Sequence, residues 1–286
     1  MHIVDPSVEL IGIELPARLT ENGIEIRSMN PERLIEEAGR TCYKSEGLMT
    51  EDSFRPFVQK IQRLGHESVV EHSAVTLRIV CDRGVSHEIV RHRLCAYSQE
   101  STRYCNYLKE KFGSEITVIE PPDLTKRQRI VWAWAMRQLD RAYRVLIKLG
   151  ASPQIARSVL PQSLKTEVVW TCNLREWKHV VRMRTSPKAH PQMIQIAVMI
   201  EAIMKRVAPD IFNPQEPYMD HFLSALEEKH ERPLRLHDAA RDLLSFDPTD
   251  VMDAGRLPAL DDPALEWRYL EEVMARLENA VRDMET

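Results

Sequence analysis

Glycine is scarce in this chain, with nine glycines among 286 residues. A phosphate-binding loop of the P-loop or dinucleotide-binding type needs several glycines at fixed spacing, because its backbone amides must approach the phosphate closely. No segment of the sequence has such a spacing. Any phosphorylated ligand would therefore be held by side chains, above all by arginine.

Cysteine is also sparse, and the positions of the cysteines match no common disulfide or metal-binding spacing. The five cysteines, at positions 42, 81, 95, 105 and 172, are odd in number and include no Cys-x-x-Cys pair. This argues against a disulfide framework or a cysteine-based zinc site, and it predicts reduced thiols in the cytosol. His66 and His72 lie six positions apart, on different faces of a helix, whereas a zinc-binding helix needs histidines at i and i+4. We predict no metal site.

Long apolar runs and a secretory signal are missing as well. No run approaches the roughly 20 apolar residues that span a bilayer. Residues 1–14 show no basic region followed by an apolar core. The composition, 43% hydrophobic and 29% charged, is that of a soluble globular protein. We predict a cytoplasmic protein with no membrane partner.

The net charge of −4 conceals two parts of opposite sign. Residues 1–207 carry 31 Lys and Arg against 24 Asp and Glu, whereas residues 208–286 carry 8 against 19. A basic body attracts anionic small molecules. So acidic an end disfavours nucleic acid as a partner.

Hydrophobic patterning predicts more helices than strands. Predicted helices cover about 30–39, 53–64, 85–94, 125–149, 173–184 and 192–207, with a short one from 152, and predicted strands cover 8–15, 74–82 and 116–119. The strand at 74–82 alternates most clearly, with Val75, Leu77 and Ile79 on one face. Because strands and helices are not regularly interleaved, we predict an α+β fold. We expect one domain at 1–210 and a mostly helical, acidic extension at 211–286.

The most informative segment is Arg91-His92-Arg93, followed after seven residues by Ser101 and then by Arg103. Like charges crowded this closely repel one another, which is unfavourable unless an anion lies among them. Guanidinium groups match phosphate oxygens two at a time, so the segment predicts a phosphorylated ligand. Ser101 lacks the Gly-x-Ser-x-Gly turn of a nucleophile, and we interpret it as a hydrogen-bonding partner of the anion.

A second group of polar residues extends from 157 to 184. Arg157 comes first, and Asn173 with Glu176 predicts the beginning of a helix that carries Arg175 and Arg184. A cation is unfavourable at the positive end of a helix dipole, so Arg175 is predicted to face a ligand. For Arg184, near the opposite end, ligand contact and relief of the dipole are both open.

Together these residues resemble the signature of the flavin-dependent thymidylate synthases, the ThyX family. The resemblance covers about residues 60–205 and includes His66 to His72, 91–104 and 156–184 in the family's order. It implies an α+β fold with a twisted central sheet flanked by helices, assembled as a homotetramer with shared active sites. It implies a methyltransferase that converts dUMP to dTMP, with methylenetetrahydrofolate as carbon donor, FAD as hydride carrier and NADPH as reductant.

The resemblance also assigns roles by position. Expected dUMP contacts are Glu88, Arg91, Gln99, Glu100, Ser101, Thr102, Arg103, Arg157 and Arg184. Expected FAD contacts are Ser68, Glu71, Arg91, His92, Arg93, Gln99, Asn173, Leu174, Arg175 and His179. Arg157 is expected to come from a neighbouring chain. Arg184 is the expected catalytic residue, because a guanidinium near the pyrimidine stabilises negative charge that develops on the ring.

Three positions depart from the family's pattern. Glu88 stands where some members have Gln, and a carboxylate beside a phosphate is unfavourable unless it pairs with Arg91 or turns away. His179 stands where some members have Asn, and 189–193 reads Ala-His-Pro-Gln-Met instead of the common Ala-Gln-x-Glu-Ile. Two alternatives stay open: a related flavin-dependent enzyme that modifies C5 of a pyrimidine nucleotide, such as a hydroxymethylase, and a catalytically silent nucleotide-binding homologue.

Overall fold

The computed structural model describes residues 1–110 and 113–212. The chain divides into two units, 1–123 with 136–220 and 124–135 with 221–286, and only 124–135 of the second unit are described. The predicted acidic extension lies outside the described residues, apart from positions 211 and 212. The boundary between 210 and 211 stays a prediction.

The described residues form a mixed fold of strands and helices, which confirms the α+β class. The strands are β1 (His2–Val4), β2 (Ser7–Ile13), β3 (Ala17–Thr20), β4 (Gly23–Ile26), β5 (Ala74–Asp82), β6 (Ala96–Gln99), β7 (Thr117–Ile119) and β8 (Lys165–Asn173). The helices are α1 (Glu32–Tyr43), α2 (Phe54–Arg63), α3 (Arg83–Ile89), α4 (Lys126–Lys148), α5 (Pro153–Ala156), α6 (Leu174–Arg184) and α7 (Pro191–Val207). None of the described helices combines the length and the apolar character needed to cross a membrane.

The main sheet has four antiparallel strands in the order β2–β5–β8–β6. Its buried face packs against α1, α2, α6 and α7 to form the hydrophobic core. The alternation predicted for β5 is confirmed, because Val75, Leu77 and Ile79 are fully buried. Trp177 of α6 lies in the same core, and its indole N–H donates to the carbonyl of Val75 at 3.1 Å.

Strand β8 is absent from the sequence prediction, although its pattern is regular. Thr166, Val168, Trp170 and Cys172 are buried and alternate with half-buried residues. The run of mixed polar and apolar residues next to a strong helix signal at Asn173 concealed this period of two. Pairing with β5 on one side and β6 on the other places β8 in the middle of the sheet.

Helix α3 differs from its predicted range of 85–94. It begins at Arg83, because the Asp82 side chain accepts a hydrogen bond from the Val85 amide at 2.6 Å and caps the helix. It ends at Ile89, so Arg91–Arg93 lie in a turn beyond it. The Tyr97 hydroxyl lies 2.9 Å from the Ile89 carbonyl and 2.6 Å from the His92 carbonyl and donates to them, which fixes this turn.

Candidate active site

Two groups of expected site residues lie at opposite ends of β8. At its beginning, Gln99 lies opposite Val168, and the Glu100 amide donates to the Glu167 carbonyl at 2.9 Å. At its end, Asn173 leads directly into α6. Asn173 lies six positions after Glu167 along the strand, a span of about 20 Å. We call these groups the first cluster (Gln99–Arg103 and Arg157) and the second cluster (Glu71, Asn173, Arg175 and His179).

Two residues of the first cluster, Thr102 and Arg157, line a small pocket. Its lining is formed by Arg83, His87, Thr102, Arg157, Leu160, Pro161 and Gln162. Arg157 donates to the Thr102 hydroxyl at 3.2 Å, so one chain brings these two expected dUMP residues together. Arg83 was missed from the sequence. It occupies the first turn of α3, where a cation is unfavourable, and the argument applied to Arg175 would have found it.

Two members of the first cluster make their hydrogen bonds within the protein. The Gln99 amide donates to the Ser86 hydroxyl at 2.8 Å and lies 3.3 Å from the Thr166 hydroxyl. The Glu100 carboxylate accepts from the Tyr107 hydroxyl at 3.1 Å, and burial together with this carboxylate raises the pKa of Tyr107. These contacts hold the end of β6 in place beside the pocket.

The remaining residues of the 91–103 segment differ in what they present to solvent. Arg91 and Arg93 are exposed, and their guanidinium groups make no hydrogen bond or ion pair within the described residues. The Ser101 hydroxyl accepts from the Arg103 amide at 3.4 Å. The Arg103 guanidinium lies 5.6 Å from the ring centroid of Tyr104. Crowded, unpaired cations of this kind are suited to binding an anion.

Arg184 is held by three contacts. Its Nε donates to His92 Nε2 at 3.0 Å, its Nη1 to the Glu88 carboxylate at 2.8 Å, and its Nη2 to the Glu88 carbonyl at 3.1 Å. Glu88 thus pairs with a cation, but its partner is Arg184 and not Arg91. Glu88 points at Arg184, because α6 brings that guanidinium against the end of α3.

His92 supports Arg184 from the protein interior. Its ring is buried, and burial, followed by the charge of Arg184, lowers the pKa of His92 to about 4. A neutral imidazole accepts at one nitrogen, and Nε2 fills that role toward Arg184, while Nδ1 lies 3.6 Å from the Glu176 carboxylate. Both ring nitrogens of this expected FAD residue thus face protein groups.

His92, Glu176 and His179 also come close enough together to be considered as metal ligands, since their ligand atoms lie within 4.8 Å of one another. However, His92 Nε2 already accepts from Arg184. The positive charge of Arg184 opposes a second cation at this position. We therefore interpret the group as the support of the guanidinium.

The second cluster lines a larger cavity of about 540 Å³. Its walls are formed by Glu67, Glu71, Leu94, Asn173, Arg175, Glu176, Lys178, His179 and Arg182, four of which are expected FAD residues. Asn173 Oδ1 accepts from the Glu176 amide at 2.9 Å and caps α6. The side-chain amide nitrogen of Asn173, by contrast, has no hydrogen bond within the described residues and can donate to a ligand.

Two other expected FAD residues have environments that the sequence did not reveal. Arg175 forms ion pairs with Glu71 and Glu67, the latter at 3.4 Å, so acidic partners relieve its position at the start of α6. Leu174 is fully buried in the core. Its side chain therefore does not reach the cavity, because an apolar residue in the first turn of α6 packs inward. Ser68 is exposed.

The family described as "Thymidylate synthase complementing protein" matches residues 26–210. A flavin-dependent thymidylate synthase of Geobacter sulfurreducens is 34% identical over 195 residues, which are 66% of this chain and 83% of that protein. A protein of the same name from Pyrococcus abyssi is 36% identical over 163 residues, which are 55% of this chain and 66% of that protein. Another from Thermococcus kodakarensis is 31% identical over 201 residues, which are 65% of this chain and 80% of that protein. The chain belongs to the family of the flavin-dependent thymidylate synthases.

Proposed function

We propose that this chain catalyses the reductive methylation of dUMP to dTMP, with FAD as bound cofactor and methylenetetrahydrofolate and NADPH as co-substrates. The observation that carries the proposal is the family match over 26–210, which includes both clusters and Arg184. The relatives cited above are named thymidylate synthases, which disfavours a hydroxymethylase.

The second cluster fits a flavin nucleotide. A diphosphate-bearing ligand needs cations and neutral donors, and the cavity offers Arg182 and the free side-chain amide nitrogen of Asn173, with Arg175 beside them in its ion pairs with Glu67 and Glu71. The exposed guanidiniums of Arg91 and Arg93 lie in the turn next to Leu94, which lines the same cavity. When bound, the flavin supplies the hydride. The protein's own residues bind and orient it.

Arg184 is the residue that we propose to act on the pyrimidine. Its charge is fixed at neutral pH. A donor held in place before the reaction stabilises negative charge on the ring without reorganising at the moment of reaction. His92 and Glu88 provide that fixed placement. Ser101 then serves as a substrate ligand, since none of the described residues accepts a hydrogen bond from its hydroxyl as an activating base would.

The separation of the two clusters supports a shared active site. The expected dUMP residues Arg157 and Thr102 lie near the beginning of β8, about 20 Å along the strand from the cavity at its end. A single nucleotide does not bridge that span. We therefore propose that the first cluster of one chain serves the second cluster of another, as in a homotetramer acting in the cytoplasm on small molecules.

The experiment that tests the function is an assay of the purified full chain with FAD, NADPH, methylenetetrahydrofolate and dUMP, with the product identified by mass. We expect dTMP in the complete mixture and none when any one component is omitted. A hydroxymethylated product or no product, from protein that binds FAD, contradicts the proposal. Arg206→Lys, an exposed change on α7, serves as the matched control.

A further inference from the structure

Cys95 and Cys172 lie opposite each other on neighbouring strands. The antiparallel register pairs Ala96 of β6 with Thr171 of β8, and continuing it by one residue places Cys95 opposite Cys172. Their sulfur atoms are 2.9 Å apart, although 77 positions separate the two residues in the sequence. Directly opposed antiparallel residues have side chains close enough for a disulfide to form with a small backbone adjustment.

The surroundings of Cys95 favour its thiolate. The neighbouring Cys172 thiol, which donates to it, lowers the pKa of Cys95 to about 7. Burial raises the pKa of Cys172, which therefore keeps its proton. The Trp170 side chain, whose ring nitrogen is buried, also favours a thiolate at Cys95. Cys95 is partly exposed, so a small oxidant can reach it.

We propose that Cys95 and Cys172 form a peroxide-reactive thiol pair, in which Cys95 is the nucleophile and Cys172 is the resolving thiol. The Cys95 thiolate attacks one oxygen of hydrogen peroxide; the O–O bond breaks, hydroxide leaves, and Cys95 becomes a sulfenic acid. The Cys172 sulfur then attacks the Cys95 sulfur as its proton passes to the departing hydroxide; the S–O bond breaks, the S–S bond forms and water leaves. Two thiols lose two electrons, and one peroxide with the two thiol protons gives two waters.

The position of the pair links it to the larger cavity. Leu94 and Asn173 line that cavity and are the sequence neighbours of Cys95 and Cys172. A disulfide between Cys95 and Cys172 requires a small shift of the backbone at both residues, and this shift is passed on to Leu94 and Asn173. We expect the disulfide to weaken flavin binding, a consequence that rests on the proposed function, whereas the formation of the disulfide does not.

The test treats reduced full chain with a small excess of hydrogen peroxide, alkylates the remaining thiols and identifies the peptides by mass. We expect two of the five thiols to be lost and the Cys95 and Cys172 peptides to be joined. Cys172→Ser should stop at a sulfenic acid on Cys95, which dimedone traps. Cys42→Ser changes an exposed cysteine outside the pair and should leave the disulfide unaffected.

The proposal is overturned if Cys95 and Cys172 remain alkylatable at a peroxide dose that oxidises Cys42 in the wild-type chain. It is also overturned if the disulfide joins other cysteines. Both results are read on the wild-type chain and do not depend on the folding of a variant. A disulfide that forms without any change in flavin binding supports the thiol pair and removes its link to the cavity. Loss of enzyme activity in the first assay leaves the thiol chemistry measurable, so the two proposals fail separately.

Discussion

Replacing Arg184 by lysine isolates the geometry of the guanidinium from its charge. Arg184 spans two acceptors on different elements, His92 Nε2 at 3.0 Å and the Glu88 carboxylate at 2.8 Å. A lysine ammonium keeps the positive charge but lacks the planar fork that makes both contacts at once. A misplacement of about 1 Å costs roughly 10²-fold in rate, and loss of one fixed donor to a developing anion costs roughly 10²–10³-fold. We expect kcat for dTMP formation to fall by roughly 10²–10³-fold.

The fold should survive this change. The Arg184 and Glu88 side chains are 15% and 33% exposed, and a partly solvated pair contributes about 1 kcal/mol or less to the free energy of unfolding. The assay therefore measures kcat together with FAD binding and urea unfolding, with Arg206→Lys as the control for an arginine far from the site. If Arg184→Lys keeps the wild-type kcat while binding FAD normally, the proposed role of the fixed guanidinium is wrong.

Three further predictions concern the residues around the site and the core. Burial, with the nearby Asp210, raises the pKa of Glu32 to about 8, so stability should fall as pH rises from the unfolded value near 4.5 to about 8, because only the folded chain keeps the proton. In urea unfolding across this range, the free energy of unfolding of Glu32→Gln should change less with pH than that of the wild-type chain. An unchanged pH dependence contradicts the raised pKa of Glu32. Burial lowers the pKa of His92 to about 4, so stability should fall as pH drops from about 6.5 to about 4, because the unfolded chain binds the additional proton. His92→Gln should reduce this loss in acid unfolding curves, and an equal loss in the variant argues for another group. Asn173→Ala should lower the free energy of unfolding by about 1 kcal/mol and weaken flavin binding, because it removes the helix cap and the ligand contact together. Asn173→Ser should keep the cap and lose the flavin contact. Flavin titrations in which both variants bind like the wild-type chain refute the contact.

The sequence predicted those parts of the protein whose signals are local. Alternation defined β5 with its observed bounds, and the Asn173 cap located the beginning of α6. The charge repulsion within 91–103 predicted an anion partner, and Arg91 and Arg93 are indeed exposed and unpaired within the described residues. Asn173, Arg175 and His179, expected together from the resemblance, line one cavity.

Other features of the site depend on distant parts of the chain. No local pattern indicates that Glu88 pairs with Arg184, which lies 96 positions later, because this contact depends on how α6 packs against the end of α3. The burial of His92 and the inward side chain of Leu174 likewise depend on the core around them. Strand β8 was overlooked because the adjoining helix signal dominated the same segment.

The sequence by itself determined the helical and strand periods, the cationic segment and the family. These depend on side-chain order over a few residues, or on motifs whose order is fixed along the chain. Only the tertiary structure decided that Arg184 is held by His92 and Glu88, that the expected nucleotide residues divide between the two ends of β8, and that Cys95 faces Cys172. Such contacts join residues more than 70 positions apart, and their geometry is set by strand register and helix packing, which no local pattern specifies.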